Sequence, residues 1–297
     1  MSELCRDWSD PALSLIQLDE GVSEDYVVWT PILNSTGTPP TPLHGVMGLL
    51  DVPRLQTLLF GGCDPARPRA GCSAAMAAHS IERKAWTPIP AAGQPSPRSG
   101  GTANALGGDV YLFGGDAAGV LMNDLVVFHP SRLAWSRTQN TRTRLSPIAL
   151  PLTLLPPASI AGPSVAGLKP PPRHEHAAVA LHDHLWIMGG GSDGGFFDDL
   201  WVYSPPDARW SRPSFFGRGP SARKGHAMAA VGPNLYVWGG CAADCSDTAV
   251  YALDTDTLKW STRIATTGAP PAARAGHTMA VVHERLVVLG GCDGKRG

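Results

Sequence analysis

Four arginines stand at a spacing that invites anion chemistry: Arg98, Arg173, Arg223 and Arg274 each precede a Gly-Gly pair by 16 residues. If the fold gathers them at one mouth, their planar guanidinium forks offer bidentate contacts to carboxylate or phosphate groups of a partner. The competing reading is structural, with each guanidinium held by carbonyls and acids of a neighbouring repeat. Asp64, Asp116, Asp193 and Asp293 follow the Gly-Gly pairs and could supply that counter-charge. His176, His226 and His277 lie three positions after their arginines, and His174 alternates with His176 on one expected strand. Repeat histidines cap or bridge interiors, and two imidazoles without further ligands do not define a metal site. No metal and no cofactor are expected.

Phe196-Phe197 and Phe215-Phe216 are paired aromatics in two expected loops of one face, and with Asp193 they are candidate contacts for a protein partner. Phe196-Phe197 align with Leu121-Met122 of the preceding repeat, so at least one ring is expected to pack under its loop. Cys63, Cys241 and Cys292 directly follow Gly-Gly, and Cys72 and Cys245 fall in the loops of the first two. Two loop-stapling disulfides are conceivable in an oxidising compartment. The first 25 residues, however, carry seven acids and neither the basic start nor the apolar core of a signal peptide. The expectation is therefore buried or free thiols in the cytoplasm, or in the nucleus.

These residues are positioned by a repeat. Five short apolar runs end in Gly-Gly: TLLFGG, VYLFGG, LWIMGG, LYVWGG and LVVLGG. A tryptophan follows the second glycine by 20 residues in three units (Trp135, Trp210, Trp260) and by 24 in the first (Trp86). A period of about 50 residues lies in the range of propeller blades. Each unit reads as four strands: a small-residue strand after Pro-x-x-Arg, the apolar run, a third such as DLWVY, and a fourth carrying the tryptophan. Small residues suit the crowded centre of a ring of sheets, and tryptophans fill its wider rim.

At these positions the chain resembles the Kelch-repeat β-propellers, whose repeats carry the Gly-Gly pair and an aromatic seven residues before a tryptophan. Here that pair is Phe128/Trp135 and Tyr203/Trp210, weakened to Leu253/Trp260 and His79/Trp86. The Pro-x-x-Arg-x-x-His opening of one subgroup stands as PPPRHEH, PSARKGH and PAARAGH, with Gly101 in place of histidine in PSPRSGG. The resemblance implies an all-β, Kelch-type propeller of about five four-stranded blades in a single domain over 1–297. The blades are expected near 41–89, 98–138, 173–212 and 223–263, with 13–32 joining 274–291 to close the ring. The alternative is a truncated part of a six- or seven-bladed propeller. Residues 137–172 form a Pro- and Leu-rich insert between blades, without one acid.

Composition narrows the function. Charged residues make up 16% of the chain and the net charge is -1, which argues against disorder and against nucleic-acid binding by bulk positive charge. No apolar run approaches 18 residues, so no membrane helix is expected. Phosphate-loop, nucleophile-elbow and His-Glu-x-x-His signatures do not occur. What remains is a non-catalytic scaffold or adaptor that binds a protein through the face carrying its longest loops. The alternative is a propeller that holds an anionic small ligand on Arg98, Arg173, Arg223 and Arg274, or that serves an enzyme as an accessory module.

Overall fold

The structure is a computed structural model and describes residues 13–16, 36–40, 43–64, 66–67, 71–138, 168–242, 245–262, 264, 271–282 and 285–293. Leu13–Ile16 form β1. The first four-stranded sheet is β2 (Met47–Asp51), β3 (Gln56–Phe60), β4 (Met76–Ser80) and β5 (Ala85–Pro88). The second is β6 (Thr102–Leu106), β7 (Asp109–Ala117), β8 (Val120–His129) and β9 (Ala134–Arg137). The third begins with β10 (Ala177–Leu181) and β11 (His184–Met188). After a small hairpin of β12 (Gly191–Ser192) and β13 (Gly195–Phe196), it continues with β14 (Leu200–Ser204) and β15 (Arg209–Ser211). The fourth is β16 (Ala227–Val231), β17 (Asn234–Trp238), β18 (Tyr251–Asp254) and β19 (Lys259–Ser261), and β20 (Thr278–Val282) and β21 (Arg285–Leu289) follow.

Each four-stranded sheet is an antiparallel meander in chain order, and each is one blade of a β-propeller. The seven-residue spacing of aromatic and tryptophan has a plain cause. A four-residue turn joins the third and fourth strands, so the two residues meet directly: Phe128 opposite Trp135, Tyr203 opposite Trp210, Leu253 opposite Trp260 and His79 opposite Trp86. Both glycines of every pair have positive φ, from +62° to +100°, which only glycine adopts freely.

Apolar layers join successive blades. One face of the first blade (Met47, Leu58, Phe60) packs on Leu112 and Phe128 of the second. Phe113 of the second meets Ile187 and Tyr203 of the third, Trp186 of the third meets Leu235 and Val237 of the fourth, and Trp238 of the fourth meets Leu286 and Val288. Both faces of a central blade are thus dry, which is why its second strand reads as an unbroken apolar run.

β1 pairs antiparallel with β21, Leu13 opposite Leu289, so the two ends of the chain share a three-stranded sheet of order β1-β21-β20. The expected fourth strand near 26–32 lies outside the described residues. Among the described residues no apolar layer joins this sheet to the first blade. An open cavity of about 1330 Å³ lies there and along the axis, lined by Leu59, Trp86, Ala103, Ala178, Ala230 and Ala280. No helix of the described residues is long and apolar enough to cross a membrane.

Candidate functional site

The repeated arginines point inward, not toward a partner. Arg98, Arg173 and Arg223 are at most 1% exposed and Arg274 is 8% exposed. Each sends Nη1 to the carbonyl of the first glycine of its own blade: Gly114 at 3.2 Å, Gly189 at 2.8 Å, Gly239 at 2.9 Å and Gly290 at 3.0 Å. Arg98 and Arg173 also hold a carboxylate with both forks, Asp124 at 2.6 and 3.0 Å and Asp199 at 2.6 and 2.9 Å. Arg223 holds Asp247 at 2.6 Å. This corrects the expectation of a guanidinium ring open to an anion, and it also corrects the counter-charges. Asp199 and Asp247 precede the third strand of their blades and Asp124 lies within its own, β8, whereas Asp64 bonds Arg67 and Asp116 caps the Gly119 amide. Burial alone would raise the Asp199 pKa, but Arg173 and the Trp201 indole N–H outweigh it and hold the carboxyl below its usual range.

Each arginine also ties blades together through its backbone. The amides of Gly62, Gly115, Gly190 and Gly240 donate to the carbonyls of Arg98, Arg173, Arg223 and Arg274 of the next blade, at 2.8–2.9 Å. Two residues beyond each arginine, a second set of bonds circles the mouth of the channel. Gly100 N–H donates to Gly45, Glu175 to Gly100, Gly225 to Glu175 and Gly276 to Gly225, all at 2.7–2.9 Å. Every member has φ between +51° and +70°. Four of the five are glycine; the fifth is Glu175.

Glu175 is the residue that breaks the rule of its position. An L-residue in this left-handed region costs about 1 kcal/mol that glycine avoids. Its carboxylate lies 3.4 Å from Lys224 Nζ and 3.5 Å from His174 Nδ1. Burial pushes its pKa up, and those two neighbours more than reverse the shift, so the group stays ionised below the ordinary glutamate range. Lys224 Nζ in turn sits 5.8 Å from the centre of the Phe196 ring, which is 40% exposed. An ammonium over an aromatic face is an attractive contact. A carboxylate, an ammonium, an imidazole and an exposed ring thus meet where the third and fourth blades join, beside the hairpin that carries exposed Asp193. The signal for Glu175 was in the sequence, since the repeat has Gly100, Gly225 and Gly276 at the same offset from arginine.

The four phenylalanines divide. Phe197 lies under the Arg173 guanidinium, 4.2 Å from its ring centre, while Phe196 faces outward. Phe215 packs on Trp260 at 6.4 Å and Phe216 is 70% exposed. Phe216 does not join Phe196. It is hydrogen-bonded between Leu258 and Trp260 at the turn end of β19, the opposite end of the blade from the long loops. The expectation that both pairs share the long-loop face is corrected, because the link between blades runs down the outer edge of the fourth sheet before returning to the mouth. Two further apolar side chains do stand on the long-loop face. Val120, at the tip of the β7–β8 hairpin, is 63% exposed and Leu168 is 45% exposed. The stretch after Leu168 is pinned to that hairpin, with Lys169 Nζ donating to Asn123 Oδ1 at 2.9 Å and Asn123 Nδ2 to the Pro170 carbonyl at 3.1 Å. The rest of the insert, 139–167, lies outside the described residues.

The histidines of the repeat are interior groups. His176 Nε2 bonds Thr102 Oγ1 at 2.9 Å, and His226 and His277 abut Gly189 and Gly239 of the preceding blades. Among the described residues no group of three or more His, Cys, Asp or Glu is placed to hold a metal ion. The cysteines overturn the expectation of thiols: Cys63 pairs with Cys72 and Cys241 with Cys245, and Cys292 is disulfide-bonded as well.

Residues 157–296 match the family model described as the KLHDC2/KLHL20/DRC7 Kelch-repeats domain, and residues 97–141 match the Kelch motif, between them more than half of the chain. Acyl-CoA-binding domain-containing protein 4 of Arabidopsis thaliana is 30% identical over 145 residues, 45% of this chain and 22% of its own. Acyl-CoA-binding domain-containing protein 6 of Oryza sativa subsp. japonica is 32% identical over 144 residues, with the same shares. The chain therefore spans about a fifth of the length of these relatives.

Proposed function

The chain belongs to the Kelch-repeat β-propeller family, and we propose that it is a non-catalytic scaffold or adaptor holding a protein partner on its long-loop face, around Phe196, Lys224 and Glu175. Kelch repeats generally mediate protein–protein interaction. The observation that carries the reading is Glu175, an acid kept at a left-handed backbone position that its fellow repeats fill with glycine. Backbone strain of this kind is found at sites of function, and here it holds a carboxylate beside Lys224 and an exposed ring. Beside it the exposed ring of Phe196 supplies the rigid apolar contact that dominates protein interfaces. Val120 and Leu168 extend the apolar surface on the same face. Asp193 and Phe196 stay candidate contacts; Phe197 and Phe215 support their loops from within.

The test is capture of partners by Phe196→Ser and Glu175→Gly, with Phe216→Ser as the control at the turn end. Loss of the same bound protein with the first two and retention with the third supports the reading. Loss with Phe216→Ser alone would refute it. A second surface has one observation in its favour. At the turn end of the first blade, Leu50, Leu55 and Ile81 are 52%, 45% and 42% exposed, with the Ile81 amide bonded to the Leu55 carbonyl at 2.9 Å. Leu55→Ser and Ile81→Ser address it directly.

A further inference from the structure

The second blade carries a constellation of another kind at its turn end. His129 Nδ1 lies 2.9 Å from Asp109 Oδ1, and its Nε2 lies 2.8 Å from Ser136 Oγ. Asp109 opens β7, His129 ends β8 and Ser136 lies in β9, so three adjacent strands supply one group each. Side chains alternate across a sheet, and Tyr111 opposite Val127 with Val127 opposite Ser136 puts all three groups on one face. The imidazole is 16% and the carboxylate 34% exposed, while Ser136 is open to solvent.

The repeat separates this arrangement from what a blade needs. His129 stands opposite Ala134, the register held elsewhere by Ser80 opposite Ala85, Ser204 opposite Arg209 and Asp254 opposite Lys259. Those short oxygen side chains secure the turn between the third and fourth strands. Ser80 accepts from the Arg83 amide at 3.2 Å, Ser204 donates to Asp207 at 2.7 Å, and Asp254 accepts from the Asp256 and Thr257 amides at 2.9 Å. His129 instead reaches across the sheet to both neighbours. The hydroxyl after the tryptophan recurs as Thr87, Ser211 and Ser261, and Gln56, His184 and Asn234 stand in the place of Asp109. Of the four blades, only the second has a carboxylate, an imidazole and a hydroxyl in line.

We propose that Ser136 is a nucleophilic acceptor of acyl groups from activated esters, with His129 as its general base and Asp109 orienting the imidazole. A carboxylate only accepts hydrogen bonds, so Nδ1 carries its proton toward Asp109 and the Nε2 lone pair faces the Ser136 hydroxyl. A serine hydroxyl is a weak nucleophile until such a base takes its proton, and this order of groups recurs on unrelated folds. Ser136 Oγ bonds to the carbonyl carbon of the ester as its proton moves to His129 Nε2. The C–O bond to the leaving group breaks, and the proton passes to the departing oxygen. The product is an ester on Ser136, a modified residue and not a turnover step. It lies at the opposite end of the blade from the long loops, so the proposal is independent of where a partner binds.

The test is exposure of the full chain to p-nitrophenyl acetate, an acid quench at timed intervals, and tryptic mapping by mass spectrometry. Ser136 falls in the peptide LAWSR (133–137), and Ser261, an exposed serine at the same strand position beside Asp254, falls in WSTR (260–263). The expected result is an acetyl group on Ser136 while Ser261 stays unmodified. His129→Gln should slow acetylation of Ser136 by about 100-fold, and Asp109→Asn should slow it as well. Ser136→Ala should remove the product altogether. Equal acetylation of Ser136 and Ser261 in the parent chain, no acetylation of Ser136 while surface lysines react, or an unchanged rate in His129→Gln would each overturn the proposal. The comparison of the two serines is made within one folded protein, so it holds whatever the variants do to stability.

Discussion

Lowering the pH from 7 to 5.5 should destabilise the folded chain through three buried imidazoles. His176, His226 and His277 are 5%, 5% and 8% exposed. Burial, reinforced by the adjacent repeat arginines, holds His226 down to about 3, His277 to about 4, and His176 well below the ordinary histidine value. Unfolded, the same groups take up protons near pH 6.5, so stability is complete above about pH 6.5 and is lost as the pH falls toward the folded values. Between pH 7 and 5.5 His226 and His277 each remove about 1.2 kcal/mol, together about 2.5 kcal/mol, and His176 acts in the same direction. Against a typical stability of about 5–15 kcal/mol that is a large share. The carboxyls held low, Asp199, Glu175 and Asp247, stabilise above the unfolded carboxyl range and lose that contribution only below about pH 4.5, so they scarcely enter this window. The assay is urea denaturation at both pH values for the parent chain and for His277→Gln. The variant should show a pH dependence smaller by about 1.2 kcal/mol. Equal pH dependence in the two proteins would refute the linkage.

Glu175→Gly and Glu175→Ala both remove the carboxylate, and only glycine takes φ of +51° without strain, so the glycine variant should be the more stable by about 1 kcal/mol in denaturant unfolding. Equal stability would show that the backbone there relaxes. Arg173→Met leaves Asp199 buried beside an unbonded Gly189 carbonyl and should cost about 3–5 kcal/mol. Adding Asp199→Leu should recover most of that loss, and simple additivity of the two changes would contradict the pairing.

The blade pattern was legible because repetition turns a local spacing into a geometric one. The arginine stands 16 residues before Gly-Gly because its guanidinium reaches the glycine carbonyl of its own blade, four times over. The acids were harder. Asp64, Asp116 and Asp193 are nearer the glycines in sequence, but the partner is set by where the third strand returns, which brings Asp124, Asp199 and Asp247 to the arginines. Adjacent aromatics gave no sign of which ring would turn inward; Arg173 decides this for Phe197 and Trp260 for Phe215. The cysteines were misread because the inference ran from compartment to bonding, whereas a cysteine after Gly-Gly with a second in the same loop is a geometric signal in its own right. Glu175 was readable as the exception in a column of glycines.

A protein partner docked on the long-loop face beside Glu175 must lie against the exposed Phe196 ring. The direct measurement is site-specific photo-crosslinking in extract from the source cells, with a photoreactive phenylalanine analogue in place of Phe196, Leu55 or Phe216 in turn. One discrete crosslinked protein is expected from position 196, lost when Glu175→Gly is added, and none of it from positions 55 and 216. The same product from position 55 or 216 with none from 196 would contradict it.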